Sequence, residues 1–583
     1  MAALARPSTD QCQDYKLDGI ESYKVVCSGG LNSNENHLDM AENASGAATR
    51  LLNYEPSLYG GYRRIEGFDH YDTVVTYDAG GYGQEVQAQS GGSNLAEGQI
   101  LGLAMYKNEV LGNPYPIAMR KDVGGNTYSF WKYTSLIGWS KMITGLTHNT
   151  VNGARTLTGS VSSSNKIRHA QFNFGGGSMI IFVDGVNNAT VFDGTNWKQI
   201  NSSNSGGASS PGGPTAYNHP EIVDVFENHV FMGGDQAFVA GIAHSAPKDP
   251  YTWTTAADSH QYSVGFKVVQ FKPFRDNLFI FGENAIKKFS KDSDTTSVTA
   301  FKSDSVTTNM GCIARDSVQE LGGDLVFLAP DGLRPCAGTS QIGDVELSSI
   351  SKPIQGRLID IIQNENLSTL NSCVVRSKSQ YRMFIGGSSA EGIGILGGLT
   401  YSSSGGSVNW EFAELLGFKA SCATSEYIGA TEYVLHGGFD GKVYRQEKGN
   451  SLAGSDIIAI YSTPYLDMGE VDTRKVVHKI NTFIRAEGPF TMSLSLQYDW
   501  SDPDTFTPND YTQSSTGAPV VFGGRNIKYA GANVKYGGSS KPVVISDIQG
   551  SGYSVRATFV TAGQFDPYTI QGIVFEYAKS GKR

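Results

Sequence analysis

No two cysteines stand at CxxC spacing, and the six present (Cys12, Cys27, Cys312, Cys336, Cys373 and Cys422) are scattered. That excludes a thiolate zinc ribbon and a dithiol redox pair. In a chain of 583 residues the six read as free thiols made in a reducing cytoplasm. Basic charge is not in surplus: Lys plus Arg number 46 against 56 Asp plus Glu, a net charge of −10. A protein that grips nucleic acid through clustered cations is therefore not expected, although nucleic acid could still slide past such a surface. No stretch approaches the roughly 18 consecutive apolar residues of a membrane-spanning helix. The opening MAALARPSTDQCQDYK has no apolar core behind a basic stretch, so no export signal is expected.

Catalytic and ligand-binding signatures are missing as well. There is no GxSxG elbow and no phosphate-binding GxxxxGK[ST] loop. The ten histidines, including His169, His219, His229, His244 and His436, show no HExxH or similar metal spacing. Asp502, Asp504 and Asp510 do not complete a calcium loop and read as a polar turn. DGTNW (193–197) and DPYTW (249–253) lack the residue order of a sialidase Asp-box. The expectation is a protein that is not an enzyme, with no cofactor and no metal.

What is present is glycine, 70 of 583 residues or about 12% where about 7% is usual, together with 29 Tyr and 28 Phe. Charged residues are only 17%. That balance belongs to an all-β chain with many turns. Seven strand–turn–strand units ending in Gly begin near residues 100, 171, 223, 268, 318, 373 and 422. After the first, their spacing is close to the roughly 40–50 residues of a four-stranded propeller blade. Trp139, Trp197 and Trp253 close the outer part of the first three units. A large irregular β-sandwich is the alternative. SSISKPIQGRLIDIIQ (348–363) breaks the rhythm, with Ile350, Ile354, Leu358 and Ile361 on one helical stripe, Ser349 or Ser351 as cap and Pro353 in the first turn.

Beyond a polar Gly/Ser stretch near 446–456 the strands lengthen and alternate, as in TMSLSLQYDW (491–500). The expected organisation is an N-terminal arm (1–48), a β-propeller body of six to seven irregular blades with one inserted helix (49–455), and a C-terminal β-sandwich-like domain (456–583). The ending KSGKR reads as a solvated basic tail.

Four stretches carry a family likeness. LLNYEPSLYGGYRRIEGF (51–68), with Tyr62, Arg63 and Arg64, resembles the opening of tail nozzle (tail tubular) proteins of short-tailed bacteriophages. ENHVFMGG with HSAPKDPYTW (227–234, 244–253), GGDLVFLAPDGLRP (322–335) and STPYLDMGEVDTRKVVHKI (462–480) are similar to further units of the same proteins. The resemblance implies a structural virion protein made in the host cytoplasm. It implies a homo-oligomeric, hexameric ring below the head–tail adaptor protein, docking tail fibre or spike proteins and extending the channel for passage of phage DNA, with no membrane insertion. A carbohydrate-binding or carbohydrate-active propeller, or another tail hub or baseplate component, is the alternative. Low charge with many aromatics suits broad subunit contacts.

Overall fold

Turn residues punctuate short apolar runs, and in the computed structural model each run becomes a strand. The structure describes residues 19–71, 75–77, 83–85, 98–107, 114–121, 127–134, 138–142, 154–156, 166–175, 177–200, 219–254, 257–291, 301–336, 349–385, 392–401, 408–502, 507–515 and 542–582. Cys12, Asp504 and residues 1–18 of the expected arm lie outside them. The chain divides into two compact units, residues 65–457 and residues 1–64 with 458–583.

The larger unit is an all-β propeller. Its inner strands are Ile100–Tyr106, Arg168–Asn173, Ile222–Phe226, Gln270–Phe274, Gln319–Leu321, Asn371–Val375 and Ala420–Ile428. Each starts within three residues of an expected unit and leads outward through antiparallel partners. Among the described residues six of these blades have four or more strands, and the blade that begins at Gln319 has three. Apolar side chains that alternate on each strand fill the gaps between consecutive blades. Phe130, Phe182 and Trp197 join the first and second blades, and Val191, Val230 and Trp253 the second and third. Phe271 and Phe289 join the third to the fourth, and Phe281 and Phe327 the fourth to the fifth. The fifth meets the sixth through hydrogen bonds from Gln319 to Ser372 and from the Tyr381 hydroxyl to the Ser317 carbonyl, 2.8 Å. Cys373, Phe384 and Val434 join the sixth to the seventh, and Ile100, Trp131 and Leu435 close the seventh onto the first. The last blade takes its outer strand, Phe68–His70, from the beginning of the propeller sequence, which ties the ring shut.

The inserted helix is real but starts later than its sequence pattern. A 3-10 turn at Lys352–Ile354 precedes the helix Gln355–Asn364, which buries Leu358 and Ile361. Pro353 occupies the first turn, where its missing N–H costs nothing. Ser351 does not cap: its hydroxyl accepts the Leu333 N–H at 2.9 Å, holding the turn to the fifth blade instead.

The smaller unit is a sandwich of two sheets. One contains Tyr54–Pro56, Tyr62–Arg64, Tyr568–Lys582, Thr473–Ala486 and Val543–Asp547. The other contains Ile457–Ser462, Val555–Gly563, Phe490–Tyr498 and Tyr511–Ser515. Rings from opposite sheets meet between them, Phe490 on Tyr568 at 4.4 Å and Tyr62 on Tyr461 at 5.0 Å. Met492, Leu494, Leu496 and Tyr498 are all buried, the face that alternation predicts.

Two expectations change. Residues 20–48 are not a loose arm. Ile20–Val26 pairs along its whole length with Tyr568–Lys582, and Asn36 caps a short helix, His37–Asn43, by accepting the Leu38 N–H. The closing residues are not a free basic tail either, because Lys579 reaches Glu470 at 2.7 Å and Glu21 at 3.0 Å. Both corrections have one cause. A strand at the end of the chain exposes a row of backbone donors and acceptors, and the opposite terminus satisfies them.

Candidate functional site

The Tyr-Arg-Arg stretch follows a tight hairpin. The Ser57 N–H donates to the Gly61 carbonyl, and Gly60 and Gly61 both take left-handed φ, +81° and +89°. A Cβ on Gly61 would lie 2.3 Å from the Ile570 carbonyl oxygen, so only glycine lets the hairpin meet that strand. Tyr62 is fully buried, and its hydroxyl donates to the Gly46 carbonyl at 2.8 Å while accepting the Gly30 N–H at 3.0 Å. Arg63 bridges Glu55 and Glu487, at 2.7 and 2.6 Å. Arg64 is buried and donates to the carbonyls of Phe565 and Gly563, each at 2.6 Å. These three side chains tie the N-terminal hairpin to the C-terminal strands. Tyr62→Phe removes the hydroxyl from two buried backbone partners, and the expected cost is about 1–2 kcal/mol in chemical denaturation. An unchanged midpoint would show that the hydroxyl ties nothing.

The three expected tryptophans do not converge on one place. They repeat a role around the ring. Trp139 packs partly buried on Tyr133 and Tyr71 beside the core shared by the seventh and first blades. Trp197 (2% exposed) fills the gap between first and second, and Trp253 (1%) that between second and third. Each belongs to one blade and packs against the one before it.

Sequence reading missed the charged side chains where inner strands begin. Arg168 holds Asp316 with both arms of its guanidinium at 2.7 Å, and Lys166 reaches the same carboxylate at 3.2 Å while donating to the Leu370 carbonyl. Arg315 pairs with Glu221. Burial by itself would raise the Asp316 carboxyl, but Arg168, Lys166 and Arg315 together hold it well below the usual carboxylate range. Further along the inner strands Lys272 pairs with Asp224 at 3.0 Å and Lys107 with Glu426. The signal was in the sequence. Lys166, Glu221 and Asp316 each stand just ahead of an inner strand, which an alignment of the blades on one another would expose. Chemically, these contacts pin carboxylates to cations on other blades.

His436 is buried (1% exposed) among Phe68, Tyr444 and Phe418, with Gln446 Nε2 facing its Nδ1 at 3.3 Å. Burial pushes its pKa down to about 3, against a weak opposing pull from Asp440. The neutral ring is the one that folds. Its contribution is therefore complete above the ordinary histidine pKa of about 6.5 and is lost as pH falls below that value. The stability of the parent relative to His436→Phe should drop by up to about 1.4 kcal/mol per pH unit between pH 6.5 and 4.5, measured by urea denaturation. Parallel curves across that window would contradict it.

Among the described residues no three His, Cys, Asp or Glu side chains gather as metal ligands, and the five described cysteines are buried. Asp502 and Asp510 are exposed, and Asp510 accepts a bond from Ser493 at 3.2 Å. No described helix is long and apolar enough to cross a membrane.

No family model and no curated protein matches the chain. Solved structures similar to it include the following two. One is the extracellular domain of a hybrid two-component system of B. thetaiotaomicron, at 9% identity and a TM-score of 0.26, covering 69% of this chain. This chain spans only 38% of that one. The other is a glycoside hydrolase family 43 arabinoxylan arabinofuranohydrolase of Bacillus subtilis in complex with cellotetraose. Its identity is 10% and its TM-score 0.23, covering 84% of this chain and 96% of that one. Scores this low transfer no residue role. The expectation that the chain is not an enzyme rested on missing sequence motifs alone and is withdrawn: a similar structure is that of a glycoside hydrolase, a likeness that assigns no activity to this chain.

Proposed function

We infer that the protein is a structural component of a phage tail, a ring-forming subunit through which DNA passes on its way from the head. The observation that supports this reading is where the family-like phrases fall. Gly61 and the Tyr62–Arg64 stretch lock a hairpin onto the C-terminal strand. Trp253 of the HSAPKDPYTW phrase seals two blades, its Nε1 donating to the Pro250 carbonyl at 2.9 Å. Leu333 of the GLRP phrase anchors the turn before the inserted helix. Strand Thr473–Ala486 runs through the sandwich. All four are framework joints, which suits a structural subunit. A hexameric ring, an adaptor on one side and fibres or spikes on the outside belong to the same reading. Negative-stain images and mass measurement of virion-derived material test it. A ring containing this chain at the distal end of the tail supports the reading, and absence of the chain from purified particles overturns it.

A carbohydrate-binding or carbohydrate-active protein is the second reading. It is favoured by one observation, a half-exposed Trp500 stacked in parallel on Tyr465. A glycan array with a hydrolysis screen tests it, and silence in both ends it.

A further inference from the structure

Three consecutive residues, Asp499, Trp500 and Ser501, take left-handed φ of 47°, 62° and 63°. None is glycine. A non-glycine residue is strained in this conformation, and strain of this kind persists only where surrounding contacts impose it. Here the contacts are visible. Asp499 accepts the backbone N–H groups of Tyr553 and Ser554, at 2.6 and 3.1 Å, which fixes the turn.

The turn presents Trp500 outward, 50% exposed, while its inner face is stacked on Tyr465 at 4.9 Å and 18°. His37 stands edge-on to the same indole at 5.1 Å and to Tyr465 at 5.4 Å. Arg556 lies over the Tyr465 ring at 5.6 Å and is itself held by Thr49 at 3.0 Å. The indole is thus backed by Tyr465 and half exposed to solvent.

Groups beside the stacked pair are polar and of both senses. His37 Nδ1 accepts the Tyr465 N–H at 3.4 Å, so its proton sits on Nε2, a donor. Burial, followed by the Arg556 charge, lowers the His37 pKa, so the ring is neutral at pH 7. The Ser501 hydroxyl, 3.0 Å from the Tyr465 hydroxyl, can donate or accept. A neutral ligand with a flat C–H face and hydroxyl groups at its edge fits this chemistry.

We propose that Trp500, backed by Tyr465 and flanked by His37 and Ser501, is a binding platform for a neutral pyranose ring. The inference rests on the carbohydrate reading for its ligand class, and it places the contact in the sandwich unit. The axial C–H bonds of the sugar lie on the indole, and its hydroxyls pair with His37 Nε2 and Ser501 Oγ.

The test uses the full chain and isothermal titration with four neutral probes: cellohexaose, maltohexaose, xylohexaose and galactohexaose. At least one should bind saturably in the millimolar range or tighter. Trp500→Ala should weaken that probe by about tenfold or more, and Trp500→Phe should keep most of the affinity. Trp500→Gly removes the ring while relieving the positive φ, so it should lose binding without lowering the melting temperature. This separates a ligand contact from a folding defect. Binding that survives both Trp500→Ala and Trp500→Gly overturns the site and leaves the carbohydrate reading standing. Failure of the parent chain to bind any of the four overturns the site and the reading together.

Discussion

Asp316→Asn is expected to destabilise the propeller by about 3 kcal/mol at pH 7, because removing one member of a buried ion network strands its partners. Arg168 (18% exposed) and Lys166 (5% exposed) would each keep a charge with no carboxylate between them. Asp316 itself is 21% exposed, which places the effect at the lower end of the range for buried pairs. The amide still accepts one hydrogen bond, so the loss reads out charge rather than shape. The pH dependence has a definite sign. A carboxyl held below its ordinary value stabilises the fold fully above an unfolded pKa of about 3.9, and that stabilisation is lost as pH falls through the folded value. The difference between parent and Asp316→Asn should therefore be complete at pH 7 and smaller at pH 3. Urea denaturation followed by tryptophan fluorescence at both values checks it. A difference that stays constant would mean that packing is responsible.

Trp197→Ala should cost about 3–5 kcal/mol, the range for deleting a large buried aromatic. Its indole contacts Phe130 at 4.3 Å and Phe192 at 4.6 Å, in a core contributed by two blades. Neither blade can collapse into the vacancy without moving its strands, because Phe192 is hydrogen-bonded in register opposite Trp197 itself. Trp139→Ala provides the internal comparison. Trp139 is only partly buried and its neighbours Tyr71 and Tyr133 can re-pack, so a loss of about 1–2 kcal/mol is expected. Equal melting temperatures for the two variants would contradict the packing described for Trp197.

These two expectations concern different layers of the same ring. The tryptophans and phenylalanines fill the gaps between blades, whereas Asp316 and its cations tie separate blades together at the starts of the inner strands. Hydrophobic filling is tolerant of exchange, since volume is what it requires. A charge network is less tolerant, since each member is desolvated on the assumption that its partner is present.

The blade hairpins were legible because local rules write them. A short apolar run, a polar turn and a glycine recur, and strand alternation needs only nearest neighbours. The inserted helix was legible through the stripe of Ile354, Leu358 and Ile361, although its cap was not. The Ser351 hydroxyl has a choice of partners, and the fifth blade supplied Leu333. Long-range matters were not legible. That Ile20–Val26 belongs beside Tyr568–Lys582 depends on two chain ends more than 500 residues apart meeting. The charge clusters were missed because Lys166, Glu221 and Asp316 look like ordinary polar loop residues until ring closure brings the inner strands together. The aromatic platform was missed because His37, Tyr465 and Trp500 are far apart in sequence and share no spacing.

The sequence by itself determined that this protein is all-β, that its glycines end hairpins at blade spacing, and that a second, longer-stranded region follows. Those are consequences of periodicity and turn chemistry, which act over a few residues. Tertiary structure alone decided that both ends of the chain build one sandwich, that acids and bases from separate blades meet in pairs, and that Trp500 turns outward on a strained backbone. Each of these needs groups distant along the chain to be desolvated against one another, a condition that only the closed fold supplies.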